Sequence, residues 1–357
     1  MKDLRRRLGF GLAVSSLVWA GAFVSTASAV PATLQCGATV TQSIELQNDV
    51  TGCNQGITVG ADNIVFNLNG HTIACRPDVV GEGPGILLPN RTGVTVTSGT
   101  VRDCDAGVAI IGGSGNQVVQ ILATNNIGEV SNFAQTDFGD GIFVQNSSRN
   151  AIRNNIADHN GPFSGITLLG DSDNNVVEGN FSINNNLPNA RAGHEDPSGS
   201  VQEDDGIRLE TVSASAAPNF NQVRGNTVRN NGLDGIAVFP LANDNSIQGN
   251  TIEGNGFQGN IRRGDGIHIF SRVQRTLVSG NTVRNNARNG IRIDGTVTLP
   301  PGGLQNRIIG NTAVSNRRDP GPDPAFDLNE GNPFCDANLW QANIFETKNF
   351  PGADCVH

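Results

Sequence analysis

Tyrosine is missing from the 357 residues, the single methionine is the initiator, and aromatic side chains make up only 5%. A tyrosine acid is therefore excluded from any catalytic centre, and so is a core built mainly on large rings. Lysine occurs only as Lys2 and Lys348, which leaves no lysine base between the two ends. The formal charge is −9, so nonspecific nucleic-acid binding is not expected. Beyond Phe23 no stretch approaches the ~18 apolar residues that a membrane-spanning helix needs. No Cys-x-x-Cys pair or close histidine partner is present, which argues against a zinc-type cysteine site.

What is present begins with an address. Lys2, Arg5, Arg6 and Arg7 precede an apolar run from Leu8 to Phe23 and then Ala27-Ser-Ala, the layout of a signal peptide over residues 1–29 with the mature chain starting at Val30. A membrane anchor is the rival reading, but the run is short and carries Gly9, Gly11 and Gly21. Removing Lys2, Arg5, Arg6, Arg7 and Asp3, a net +3, takes the charge from −9 to −12. Six cysteines follow the leader, as expected of an exported chain with paired thiols: Cys36, Cys53, Cys75, Cys104, Cys335 and Cys355. The first four allow three connectivities, and proximity favours 36–53 and 75–104, with 335–355 at the other end. Charge is unevenly distributed, since residues 191–318 hold 14 Arg against 11 Asp and Glu.

The chain then repeats itself. Asp140-Gly-Ile-Phe-Val recurs from Ser164, Asp205, Asp234, Asp265 and Asn289, with a looser copy at Ala106; the shortest interval is 24 residues. A second element recurs as Val223-Arg-Gly-Asn-Thr-Val and from Ile247, Val278 and Ile308. Pairs such as Ile207/Leu209, Ile236/Val238 and Ile267/Ile269 alternate with period two, which is strand patterning with one buried face. Frequent Gly and Asn would weaken a helix and suit turns of positive φ. The expected fold is all-β, a single-stranded right-handed parallel β-helix: a solenoid of about ten coils with capped, disulfide-bonded ends. Residues 30–62 would form the N-terminal cap, 63–318 the repeats, and 319–357 a last coil and cap containing Trp340. Asn155, Asn180, Asn226, Asn250, Asn281 and Asn311 fall at equivalent turns and read as a structural ladder.

These repeats resemble secreted right-handed parallel β-helix proteins of the pectin-lyase-like superfamily, over nearly the whole mature chain. The resemblance implies the fold, and a polysaccharide as substrate or ligand, since members include polysaccharide lyases, galacturonidases and mannuronan epimerases beside non-catalytic proteins. The chain departs from the catalytic relatives. It has no Asn-Thr-Asp, Gly-His-Gly and Arg-Ile-Lys set of the galacturonidases, and His194-Glu-Asp-Pro197 holds the letters of the epimerases' Asp-Pro-His in the wrong order. The repeats also resemble the periplasmic copper-maturation β-helix proteins, but soft copper ligands are lacking.

If Ile207 and Leu209 point inward, Arg208 and Glu210 point outward, and the same alternation on each coil builds an exposed wall. One column reads Phe143, Thr167, Arg208, Ala237, His268, Arg292 and its neighbour Gln145, Leu169, Glu210, Phe239, Phe270, Asp294. Insertions at 127–139, 185–204 and 256–264 would wall a groove beside it. For a sugar acid, Arg208, Arg292, Phe239 and Phe270 are the expected binding residues, and His268, Glu210 and Asp294 the expected catalytic ones. Flanking Arg208 and Arg292 should depress the pKa of His268 and leave it a neutral base near pH 7. Asp205, Asp234 and Asp265 on consecutive coils should lie ~5 Å apart. Each either satisfies a donor in its own Asp-Gly turn or shares a hard cation such as Ca²⁺ with the others. No cofactor is required. Arg229, Glu253 and Arg284 read as a cross-strand ion ladder. Two functions remain in balance: a monomeric, secreted lyase or glycoside hydrolase on an acidic extracellular polysaccharide, or a non-catalytic surface scaffold that binds it.

Overall fold

The structure is a computed structural model, and it describes residues 29–76, 83–128, 138–186, 204–256, 264–296, 303–318, 324–332, 335 and 337–350. The leader, Cys355, His194 to Pro197 and most of the three insertions lie outside these residues.

Among the described residues one sheet holds twelve strands in chain order: Thr39–Val40, Ile57–Val59, Pro84–Pro89, Ala106–Ile111, Ile142–Gln145, Ile166–Leu169, Ile207–Glu210, Ile236–Val238, Ile267–Ile269, Ile291–Ile293, Leu328–Glu330 and Lys348–Asn349. Every adjacent pair is parallel, as stacking of the repeated coils implies; Ile207 pairs with Ile236 and that with Ile267. The first two strands come from the N-terminal segment, so the solenoid is already under way there. The other 21 described strands form two further faces, such as Gln222–Arg224 and Thr227–Arg229, which stack on Ser246–Gln248 and Thr251–Glu253. Thr95–Arg102 and Gln117–Thr124 run through both faces and join them into one sheet. Among the described residues no helix is long and apolar enough to cross a membrane.

Aliphatic side chains, most of them β-branched, fill the inside. Ile207, Leu209, Ile236, Val238, Ile267 and Ile269 are fully buried, and Val223, Val228, Ile247 and Ile252 meet them from the other faces. A strand offers one inward side chain per two residues, so stacked Ile and Val fill most of it, and among the described residues the fully buried rings are Phe66 and Trp340. Disulfides join Cys36 to Cys53 and Cys75 to Cys104; Cys335 is disulfide-bonded as well. On the surface Arg284 meets Glu253 at 3.2 Å, part of the expected ion ladder.

The asparagine ladder is there, and it has two companions. Asn155, Asn180, Asn226, Asn250, Asn281 and Asn311 each accept, at Oδ1, the backbone N–H of the counterpart one coil earlier, for example Asn226 N–H to Asn250 at 2.9 Å. Parallel runs start at Asn116-Asn150-Asn175-Asn221-Asn245 and Asn126-Asn160-Asn185-Asn231-Asn255. The ladder asparagines themselves are not left-handed. The residue before them is: Asn154, Gly179, Gly225, Gly249, Gly280 and Gly310 all have φ between 54° and 65°.

The glycine of Asp-Gly-Ile has a different reason. At Gly235 a Cβ would stand 2.6 Å from the carbonyl oxygen of Gly266 on the next coil and 2.5 Å from Ile252 Cγ2. Its φ is not positive, so close approach of stacked backbones excludes a side chain, not turn geometry. Gly235→Ala should cost about 2 kcal/mol in urea unfolding, because carbonyl and core must both shift. An unchanged midpoint would refute the close-approach account.

Candidate functional site

The site is built on the outer face of the twelve-strand sheet, where the ladder rule is carried by acids. Asp140, Asp205, Asp234 and Asp265 precede the repeat strands, and each accepts at Oδ1 the N–H of the residue one coil on: Ser164, Asp234, Asp265 and Asn289, at 2.7–3.1 Å. The expectation that each served its own turn is corrected. The donor in reach is the stacked coil, since coils repeat at strand spacing while the turn opens away.

The register places the wall residues as the alternation implies, with Arg208 beside Ala237, Ala237 beside His268 and His268 beside Arg292. The wall is not exposed, however. Phe143, Thr167, Arg208, Ala237 and His268 are buried, Arg208 at 1% and His268 at 2%; Arg292 is half-buried. Outward side chains lie down on the sheet here because acids and rings cover them. Phe239 and Phe270 stack at 4.5 Å, the Arg208 guanidinium sits 4.2 Å over Phe239, and His268 stacks at 3.8 Å on Phe270.

Two charged groups result. In the first, Arg208 faces Glu210 at 2.9 Å and Asp205 at 3.6 Å. In the second, His268 Nδ1 meets Asp234 Oδ2 at 2.9 Å and Asp265 Oδ2 at 3.7 Å, and Nε2 faces Asp294 Oδ2 at 3.2 Å. Arg292 closes it, 2.7 Å from Asp294 and 3.6 Å from Asp265. Asp205 thus leaves the expected aspartate trio for Arg208, and the three groups able to share an ion are Asp234, Asp265 and His268.

Electrostatics reverse one expectation. Burial works against the charged imidazole, but Asp234 and Asp294 outweigh it and raise the pKa of His268 to about 9. His268 is an imidazolium at neutral pH, not the neutral base that flanking arginines would make, because carboxylates lie nearer to it than either guanidinium. Burial raises the Asp265 pKa; it also pushes Asp294 up, yet His268 and Arg292 together hold Asp294 below the usual range. Asp140, in the same ladder, is raised to about 7 by burial, against hydrogen bonds from Thr167 and Ser164.

Next to the second group a cavity of about 360 Å³ opens, lined by Arg288, Asn289, Arg292, Asp294, Asn329 and Pro324 among others. Arg292 and Asp294 were expected in a site from the sequence. Arg288, Asn289 and Asn329 were not: Arg288 sits before the repeat motif, Asn289 opens its copy where most others have an aspartate, and Asn329 belongs to a coil reading Phe326-Asp-Leu-Asn-Glu, without the glycine that marks the others.

The model of the right-handed β-helix region matches residues 46–260 and 200–346. Among solved structures, the periplasmic alginate epimerase AlgG superposes with a TM-score of 0.56 at 14% identity, over 90% of this chain and 78% of that one. The Dettilon tailspike protein gives 0.54 at 15% identity, over 89% and 60%. The A-module of the Azotobacter vinelandii mannuronan C-5 epimerase AlgE4 gives 0.51 at 15% identity, over 89% and 83%. Among curated protein sequences none matches the chain. At these identities the likeness to solved structures shows the fold.

Proposed function

Because this chain belongs to the right-handed β-helix family, we propose that it is an exported solenoid that binds an acidic polysaccharide in the cavity beside Arg292. The carrying observation is the lining: two guanidiniums, Arg288 and Arg292, with the amides of Asn289 and Asn329, in a space of about 360 Å³. That is the size of a small-ligand pocket, and guanidinium matches a sugar carboxylate in shape and charge while the amides suit hydroxyls. Two fold relatives are named for alginate and mannuronan, both polymers of sugar acids. Disulfides 36–53 and 75–104 support export to an oxidising compartment.

Turnover by a lyase or hydrolase is a second reading, favoured by the Asp294 carboxylate on the cavity wall. In it Asp294 would touch the sugar, while His268, ringed by acids and covered by Phe270, would hold Asp294 in place. New reducing ends, or absorbance of an unsaturated product, would reveal it; their absence over a panel of polyuronates leaves the binding solenoid.

The binding reading is tested by titrating the protein with oligouronates and their carboxyl-reduced counterparts. Loss of a charge-assisted hydrogen bond costs about 1.5–3 kcal/mol, so Arg292→Gln should weaken uronate binding about tenfold or more, and more at low salt than at high. Equal affinity for the carboxyl-reduced glycans, or wild-type binding by Arg292→Gln, would remove the proposal.

A further inference from the structure

The glycan reading leaves one feature of the acid ladder unused. Asp234 and Asp265 each commit Oδ1 to the following coil: Asp234 Oδ1 accepts the N–H groups of Gly264 and Asp265, both at 2.7 Å, and Asp265 Oδ1 accepts Asn289 N–H at 2.7 Å and its Nδ2 at 2.6 Å. With Oδ1 pinned, both Oδ2 atoms turn to the point where His268 presents Nδ1. These three atoms lie within 4.8 Å of one another, in residues that are all buried. Asp265 Oδ2 accepts no hydrogen bond there, although the residue is fully buried. Its nearest cationic groups, Arg292 at 3.6 Å and His268 Nδ1 at 3.7 Å, stay beyond hydrogen-bond distance, so this buried acceptor has room for a closer cation.

We infer that Asp234, Asp265 and His268 form a binding site for a divalent transition-metal ion, with zinc as the fitting metal. The separations of Nδ1 from the two Oδ2 atoms, 2.9 and 3.7 Å, bracket the edge of about 3.4 Å expected for a tetrahedron with bonds of about 2.1 Å. Once binding displaces the Nδ1 proton that the imidazolium carries, the imidazole and the small number of ligands suit zinc, whereas Ca²⁺ takes six to eight oxygens. The outer shell is in place too. His268 Nε2 faces Asp294, the carboxylate–histidine–metal order, and each ligating carboxylate is held by backbone donors. Arg292, 3.6 Å from Asp265 Oδ2, is the nearest competing cation and is held by Asp294 at 2.7 Å. This site needs no glycan, so its test is separate from that of the binding reading.

Protein stripped with a chelator is titrated with ZnCl2 and, separately, CaCl2, with bound metal counted by mass spectrometry. One zinc per chain is expected, held at least about a hundredfold more tightly than Ca²⁺, retained by Asp205→Asn and lost in His268→Ala. If His268→Ala does not fold, CoCl2 added to the wild type should give the visible absorption of tetrahedral cobalt. No stoichiometric zinc in the wild type overturns the inference. So does equal zinc binding by a folded His268→Ala, or colourless protein at full cobalt loading.

Discussion

Asn250→Ala is expected to lower stability by about 4 kcal/mol, far more than a polar-to-alanine change usually costs. The amide of Asn250 donates to Val223 C=O at 2.9 Å and to Asn281 Oδ1 at 2.9 Å, and its Oδ1 accepts both the backbone N–H and the side-chain amide of Asn226. All of this is buried. Alanine would take from the Val223 carbonyl its amide donor and leave the backbone N–H and one amide hydrogen of Asn226, whose other amide hydrogen goes to Val177 C=O, without an acceptor, at about 1–3 kcal/mol for each orphaned donor. Thr251→Ala, one residue on and exposed, should change stability by under about 0.5 kcal/mol. Urea unfolding followed by circular dichroism reads both. A loss below about 1 kcal/mol at Asn250 would mean that neighbouring coils close over the gap.

Wild-type stability should fall as pH rises, and Asp140→Asn should spare it much of that fall. Asp140 is fully buried and its folded pKa of about 7 lies above the ordinary 3.8. The folded chain then holds a proton that the unfolded chain has released, so this contribution is fully present below about pH 3.8 and is lost up to about pH 7. Between pH 5 and pH 8.5 the loss amounts to about 3 kcal/mol. Asparagine keeps an acceptor for Ser164 N–H and Thr167 Oγ1, at 3.1 and 2.5 Å, without a charge to desolvate. Arg208 and Glu210 act on Asp140 with opposite sign and are common to both proteins. The variant should therefore gain on the wild type as pH rises. A gap of the same size at pH 5 and pH 8.5 would show that Asp140 does not titrate in this window.

The candidate site was legible only in part, and particular residues show why. That Arg208, His268 and Arg292 share a column, with Glu210, Phe239, Phe270 and Asp294 in the next, follows from period-two alternation and a repeat whose register is marked by Asp-Gly-Ile. Which neighbour each side chain chooses does not follow. Asp205 takes Arg208 while Asp234 takes His268, and the choice turns on small differences in reach across a coil spacing of about 5 Å. The protonated state of His268 depends on those distances as well, so a reading that counted the arginines and overlooked the nearer carboxylates had the sign wrong.

By itself the sequence determined the parallel solenoid, the inward rows of Ile and Val, and one asparagine ladder. Each is a local pattern repeated at the coil interval, and stacking admits one register that buries every apolar row. Only the tertiary structure decided that Arg208 and His268 are covered, that the Asp-Gly-Ile glycine answers a carbonyl of the next coil, and that Arg288 and Asn329 join Arg292 at one cavity. Those properties depend on distances between coils, to a few tenths of an ångström, among side chains of residues 24 or more apart in sequence. A repeat places such residues side by side; close packing and desolvation then settle which of them touch.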